Sequence, residues 1–266
     1  MRLGIFDSGL GGLLIARAIH EAIPDIDKIY MGDTLNLPYG SRSETMVYDA
    51  SKRCIKFLFE QDCALVIIAC NTSSARALGR LQQEFLPDEY PERRILGVVV
   101  PTIEEAVSRQ YDKISMIGTN YTVQSHIYRD ELQKINPNIT LIEKRTPLLV
   151  PLIENDGEPY IANVLDDYLD FLTGNDSQAL LLGCTHYIHL KNLIRSRVDI
   201  DVLSQDEIIP DKLRLYLKNH PEIGTKLTRN GDIQFYVSDL TQTYVEKASD
   251  LFQSPIIIQH RADIHG

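Results

Sequence analysis

Two cysteines sit where a protein can put a thiol to use. Cys70 follows the apolar run Leu65-Val66-Ile67-Ile68-Ala69 and precedes Asn71-Thr72, while Cys184 follows Ala179-Leu180-Leu181-Leu182-Gly183 and precedes Thr185-His186. Each run reads as a strand buried on both faces, and each cysteine as the first residue of a turn into a helix. The free N–H groups and partial positive charge of a helix N-terminus stabilise a thiolate. Both thiols are therefore expected to ionise below the ordinary value of about 8.5 and to serve as nucleophiles or bases. Cys54, inside an apolar helical pattern, and Cys63, just ahead of a strand, read as inert core thiols. The four cysteines include no Cys-x-x-Cys pair, which argues against a zinc ribbon or a thioredoxin-type redox pair. Free thiols suit a reducing compartment.

Other polar groups fall at comparable strand ends. Asp7-Ser8-Gly9-Leu10-Gly11-Gly12 is glycine-rich, but it lacks the spacing of a dinucleotide fingerprint and no P-loop lysine follows. Asp7 fits either an ammonium-holding or base-orienting carboxylate or a cap for the next helix, and the two roles are compatible. Asn36-Leu37-Pro38-Tyr39-Gly40 reads as a turn, or as a backbone wall whose N–H groups receive a carboxylate. Gly118-Thr119-Asn120-Tyr121-Thr122 offers hydroxyls that cap a helix or bind an anion. His186, two residues after Cys184, is either structural or an aid to proton transfer. A zinc site built from Cys70, Cys184 and His186 would match no recurrent ligand spacing.

The elements that must position these residues alternate along the chain. Strands are expected at about 2–6, 28–31, 64–69, 95–99, 113–117, 138–142, 178–183, 200–203 and 232–237. Helical spacing of apolar residues fills 11–21, 43–60, 74–85, 102–109, 123–132, 160–172 and 206–217. This is the pattern of parallel sheets with crossover helices, and ligands bind at the carboxyl ends of such strands. Two similar cysteine turns suggest two similar domains facing one cleft. With 266 residues, 44% of them hydrophobic, the chain can build one large α/β unit or two smaller cored domains. No run approaches a membrane span and no signal-peptide pattern opens the chain, so a cytoplasmic protein is expected. With 27 Lys+Arg against 37 Asp+Glu, the net charge of −10 disfavours nucleic acid as a partner. It also means that an anionic substrate must be held by local donors.

Five segments, in order and spacing, resemble the signatures of the bacterial glutamate racemase family. They are Asp7-Ser8-Gly9 with Gly11-Gly12, Pro38-Tyr39-Gly40, Cys70-Asn71-Thr72, Gly118-Thr119 with Thr122, and Gly183-Cys184-Thr185-His186-Tyr187. The resemblance spans nearly the whole chain. It implies an α/β fold of two flavodoxin-like parallel-sheet domains related by pseudo-twofold symmetry, with the active site between them. On that reading residues 1–97 with 209–266 form the first domain and 98–208 the second. It implies racemisation of glutamate without pyridoxal phosphate, metal or nicotinamide, supplying D-glutamate for peptidoglycan, and it is compatible with a homodimer. The chain carries no convincing motif for any of those cofactors.

Carried over by resemblance, Cys70 and Cys184 are the two acid/bases, Asp7 and His186 their assistants, and Glu154 an acidic residue near the second cysteine. Asp7 and Ser8 receive the substrate ammonium. Pro38, Tyr39, Gly40, Asn71, Thr72, Thr119, Thr122, Thr185 and His186 line the substrate site, several of them as donors to its carboxylates. The chain departs from the family pattern at Ile188, where proline is usual, at Ser73, where alanine is usual, and at Asn36-Leu37. Aspartate racemases of the same superfamily commonly carry an acidic residue at the position of His186, so this histidine favours glutamate. Two other readings differ in class: a decarboxylase or isomerase on a related scaffold, and a non-catalytic, topoisomerase-binding regulator, against which the two intact cysteines argue.

Overall fold

The computed structural model describes residues 1–265. Its strands are β1 (Arg2–Asp7), β2 (Lys28–Gly32), β3 (Cys63–Ile68), β4 (Arg94–Gly97), β5 (Lys113–Gly118), β6 (Thr140–Arg145), β7 (Ala179–Gly183), β8 (Asp201–Leu203), β9 (Ile233–Val237) and β10 (Ile258–His260). All pair in parallel, in a six-stranded sheet ordered β10-β9-β2-β1-β3-β4 and a four-stranded sheet ordered β6-β5-β7-β8. The second sheet is made of consecutive strands, and the chain then returns to finish the first.

The two sheets repeat one plan. β1 to β4 lie in the spatial order second, first, third, fourth, and β5 to β8 lie in that order again. In each, the winding reverses between the first and third strands, and a crevice opens at that reversal. Ser8 follows β1 and Cys70 lies two residues past β3; Thr119 follows β5 and Cys184 follows β7. The reversal thus brings equivalent turns of both sheets to the places where a ligand can bind.

Both faces of each sheet are covered, as parallel strands require. Ile5, Leu65 and Ile67 pack with Leu13, Ile15 and Ile19 of the Gly12–Ala22 helix on one face of the first sheet. Phe6, Val66 and Ile68 meet Val47, Ile55 and Leu58 of the Glu44–Glu60 helix on the other. That helix starts where Ser43 Oγ accepts the Met46 N–H at 3.3 Å. The second sheet has its own two apolar layers, around Leu180 and Leu182 on one face and Met116 and Leu181 on the other. Lys28, fully buried in β2, donates to the carbonyls of Ile23 and Ile26, each at 2.6 Å, where the first helix ends. Among the described residues, no helix is long and apolar enough to cross a membrane.

The structure corrects the reading of several elements. β6 runs on to Arg145, beyond the expected 138–142, because Glu143, Lys144 and Arg145 stay in register with β5 despite their charge. The expected helix at 123–132 is two helices, Asn120–Gln124 and Ile127–Ile135, broken where His126 takes the left-handed conformation (φ 57°). Helical backbone begins at Asn71 rather than 74, directly after the extended Cys70. After Cys184 the chain forms a 3₁₀ turn, Thr185–Leu190, and α-helix starts only at Lys191. Thr185 through Ile188 are all buried there, packed beside the Gly12–Ala22 helix. Helices Leu149–Glu154 and Gln242–Phe252 and strand β10 are short elements that the apolar periodicity did not mark.

Candidate active site

A cavity of about 110 Å³ opens between the carboxyl ends of the two sheets. It is well below the roughly 300–1,000 Å³ of sites for drug-sized ligands, so a small metabolite suits it. Cys70 and Cys184 both line it.

On the first-sheet side, Ser8 Oγ lies 3.5 Å from Cys70 Sγ. Asp7, with no exposed surface, accepts the N–H groups of Gly9 (2.9 Å) and Gly12 (3.0 Å), so it secures the glycine-rich turn. Its other oxygen accepts the Thr185 hydroxyl, from the opposite sheet, at 3.4 Å. Burial pushes the Asp7 carboxyl up to about 6, against the pull of nearby His186 and the two N–H bonds. Burial, together with the negative charge of Asp7, likewise pushes the Cys70 thiol up to about 11. This reverses the expected direction. The N-terminus of a six-residue helix, with hydrogen bonds from Ser8 and Ser73, does not outweigh removal from water.

The second-sheet side is different in charge. His186 Nδ1 lies 3.7 Å from Cys184 Sγ, and Nε2 lies 2.5 Å from Glu154 Oε1. Burial alone would lower the imidazole, but its bonds and charge interactions with Cys184 and Glu154 overcome that and hold it well above its ordinary range. Burial opposes the charge on Glu154 too, yet the His186 bond keeps that carboxyl below its usual value. Cys70 therefore faces a serine and a carboxylate, and Cys184 an imidazolium backed by a carboxylate. Lys247 on the Gln242–Phe252 helix steadies the arrangement, donating to the Glu154 carbonyl at 2.9 Å and pairing with Asp156 at 2.7 Å.

Hydroxyls bridge the two halves across the cleft. Thr119 Oγ1 accepts the Thr122 N–H at 3.2 Å and lies 3.0 Å from Thr122 Oγ1 and 3.3 Å from Thr72 Oγ1. Gly40 approaches the same threonine so closely that a Cβ there would lie 2.9 Å from its side chain. Pro38, on a cis bond, forms part of the wall. The Tyr39 hydroxyl is turned away, donating to Asp33 at 2.5 Å, so what Tyr39 offers a ligand is its backbone. Asp33 also accepts the Ser238 hydroxyl at 2.7 Å, and the same Ser238 oxygen accepts the Leu35 N–H at 3.0 Å, pinning this loop to the end of β9.

Of the residues expected at the site, Ser8, Pro38, Tyr39, Gly40, Cys70, Asn71, Thr72, Thr119, Cys184, Thr185 and His186 line the cavity. Asp7, Glu154 and Thr122 stand behind that wall and touch residues within it. Ser41, Val150 and Pro151 also line it without being marked by the sequence, and so do Thr146 and Pro147. The last two follow β6 directly and would have been found had that strand not been ended at 142. Among the described residues, no group of three or more His, Cys, Asp or Glu side chains is placed to hold a metal ion.

A family model described as Asp/Glu/Hydantoin racemase matches residues 13–208. A glutamate racemase of Aquifex aeolicus is 35% identical over 247 residues, which cover 91% of this chain and 90% of that one. The solved structure of a Francisella tularensis glutamate racemase in complex with D-glutamate has a TM-score of 0.87 at 28% identity, covering 98% of this chain and 97% of its own. An aspartate racemase of Picrophilus torridus, covering 84% and 99%, reaches 0.58 at 18% identity and shares the fold alone. The relatives that match along nearly the full length carry the same two-sheet architecture that frames Cys70 and Cys184: the chain belongs to the Asp/Glu/hydantoin racemase family and is an amino-acid racemase.

Proposed function

We propose that the protein interconverts L- and D-glutamate, with Cys70 and Cys184 as the two proton carriers and the product D-glutamate destined for peptidoglycan in the cytoplasm. The observation that carries this reading is the opening of both thiols into one small cavity from opposite sheets, each with its own polar partner. Inverting an α-carbon needs a base on one face and an acid on the other. Cys70, its thiol raised to about 11, enters a turnover as proton donor, and Cys184, beside the His186 imidazolium, as acceptor. Cys184 takes the α-proton, the electron pair is left on the α-carbon and its carboxylate, and Cys70 returns a proton to the other face. The two cysteines have then exchanged states, ready for the opposite enantiomer.

The threonine hydroxyls and the backbone N–H groups of the 38–40 loop are suited to receiving carboxylates, and Ser8, which lines the cavity, to receiving the ammonium, with the buried Asp7 behind it supplying negative charge. The glutamate racemases among its relatives support this substrate. We assign residues 1–97 and 209–266 to one domain and 98–208 to the other. The second crossing runs along the Gln205–Asn219 helix.

Incubation with L-glutamate in D₂O tests the reading. Deuterium is expected at the α-carbon together with D-glutamate. Turnover of L-aspartate alone would overturn the substrate, and absence of α-exchange with either amino acid would overturn the proton-transfer chemistry.

A further inference from the structure

Against Asn71 packs a set of neutral polar side chains, Thr102, Gln205 and Tyr128, buried and outside the cavity wall. Asn71, which does line the cavity, exchanges two hydrogen bonds with Gln205: its Nδ2 donates to Gln205 Oε1 at 2.7 Å, and its Oδ1 accepts from Gln205 Nε2 at 2.9 Å. Asn71 Oδ1 also accepts the Tyr128 hydroxyl at 2.5 Å. Gln205 Nε2 further reaches Tyr128 Oη at 3.0 Å and Thr102 Oγ1 at 3.3 Å. Thr102 and Gln205 have no exposed surface, Tyr128 1% and Asn71 2%.

The two hydrogens of Gln205 Nε2 are shared among these three acceptors, Asn71 Oδ1, Tyr128 Oη and Thr102 Oγ1, and the orientation of both amides follows from one end. The Thr102 hydroxyl hydrogen is given to the Val98 carbonyl at 2.6 Å, so toward Gln205 that oxygen can only accept. The Gln205 NH₂ must then face Thr102, and its carbonyl must face Asn71. That in turn requires Asn71 to present Nδ2 to Gln205 and Oδ1 to Tyr128. An amide nitrogen carries two hydrogens, and Gln205 takes one. The other is taken by none of these partners, and Asn71 lines the cavity.

We infer that Thr102, Gln205 and Tyr128 are positioning residues that lock the Asn71 amide so that the cavity meets a donor and never the carbonyl oxygen, tuning the site for a substrate carboxylate. A flipped amide would set a carbonyl against that anion, losing a hydrogen bond and adding repulsion. The three residues come from the Val99–Ser108, Gln205–Asn219 and Ile127–Ile135 helices, and Asn71 from the Asn71–Arg76 helix that follows β3 of the first sheet. The lock therefore spans both halves of the molecule. The inference rests on the amino-acid carboxylate proposed above as ligand.

Thr102→Val, Gln205→Met and Tyr128→Phe keep shape and remove the polar partner, and Thr102→Ser restores the hydroxyl. Kinetic constants for L-glutamate are measured on each, with thermal melts to verify folding. Because a ground-state carboxylate contact is weakened, KM is expected to rise roughly tenfold in Thr102→Val and Gln205→Met while kcat stays within about threefold. Tyr128→Phe moves KM in the same direction, and Thr102→Ser returns it to near the wild-type value. An unchanged KM in a folded Thr102→Val or Tyr128→Phe variant overturns the inference. So does a fall in kcat and melting temperature without change in KM, the mark of a merely structural role. Should Gln205→Met fail to fold, the other two substitutions carry the test. Inactivity of the wild type toward glutamate would count against the substrate reading instead, and the same constants would then be read on the amino acid it does racemise.

Discussion

Cys70 and Cys184 share a position in two copies of one plan but not an electrostatic setting. Replacing either by serine leaves a hydroxyl too weakly acidic for proton relay. Racemisation is expected to fall by at least about a thousandfold in each variant with the near-UV dichroism unchanged; substantial activity in either refutes the paired relay. Asp7 offers a second test, on pH. Its carboxyl is raised from 3.8 to about 6, so its contribution to stability is fully present below 3.8 and lost as pH rises through 6. Asp7→Asn, which can still accept the Gly9 and Gly12 N–H groups, is expected to stabilise the fold by up to about 3 kcal/mol at pH 8 and by nothing near pH 3.5. Activity should move the other way: kcat/KM of the wild type falls as pH drops through about 6, and the variant loses that limb. Denaturant melts and a pH–rate profile on the same two proteins check both halves. The cysteine turns, Asp7 and His186 could be singled out from the chain because strand ends expose polar side chains in a recognisable order. The direction of the Cys70 shift could not, since it depends on how completely the folded chain removes that thiol from water.

The elements that hold these residues meet at very short range. Gly11 has an ordinary helical backbone, yet a Cβ on it would lie 2.6 Å from both the His186 nitrogen and the Thr185 hydroxyl oxygen. The glycine is needed for space rather than for conformation. Gly11→Ala should push the Thr185-His186 segment outward and lower kcat/KM by roughly 10- to 100-fold, as displacements near 1 Å do, with only a modest loss of melting temperature; wild-type kinetics would show that the cleft accommodates the methyl freely. Strands with uniform apolar character, such as β3 and β7, could be read from the chain almost to the residue. β6, half charged and only partly buried, carries too weak an apolar signal to mark where it ends, which leaves Thr146 and Pro147 hidden in the sequence. Gln205 was missed for another reason: a polar residue opening an amphipathic helix looks solvated until the fold closes over it.

At the scale of the molecule, the parallel winding is legible in the alternation of apolar runs and the division into two sheets in the pair of similar cysteine turns, whereas the late return of β9 and β10 to the first sheet is only partly so. β10 is three residues long at an edge, with too little apolar character to register. That return sets an order of events during synthesis. β5 to β8 are contiguous and can pair as soon as they emerge, while β2, paired with β1 on one side, has its other edge open until β9 is made. The loop carrying Pro38 and Tyr39 is held through Asp33 and Leu35 by Ser238, and Glu154 by Lys247, so the cleft's wall is fixed by some of the last residues made. Chains arrested before residue 233 should therefore protect the β5–β8 region from protease yet leave Cys70 and Cys184 far more open to alkylation than in the finished protein. Mass spectrometry of alkylated, arrested chains reads this directly, and equal protection of the thiols before and after completion would contradict it. The ribosome would thus release these two thiols into a shielded site only when the chain is nearly whole, keeping them from unpartnered chemistry until then.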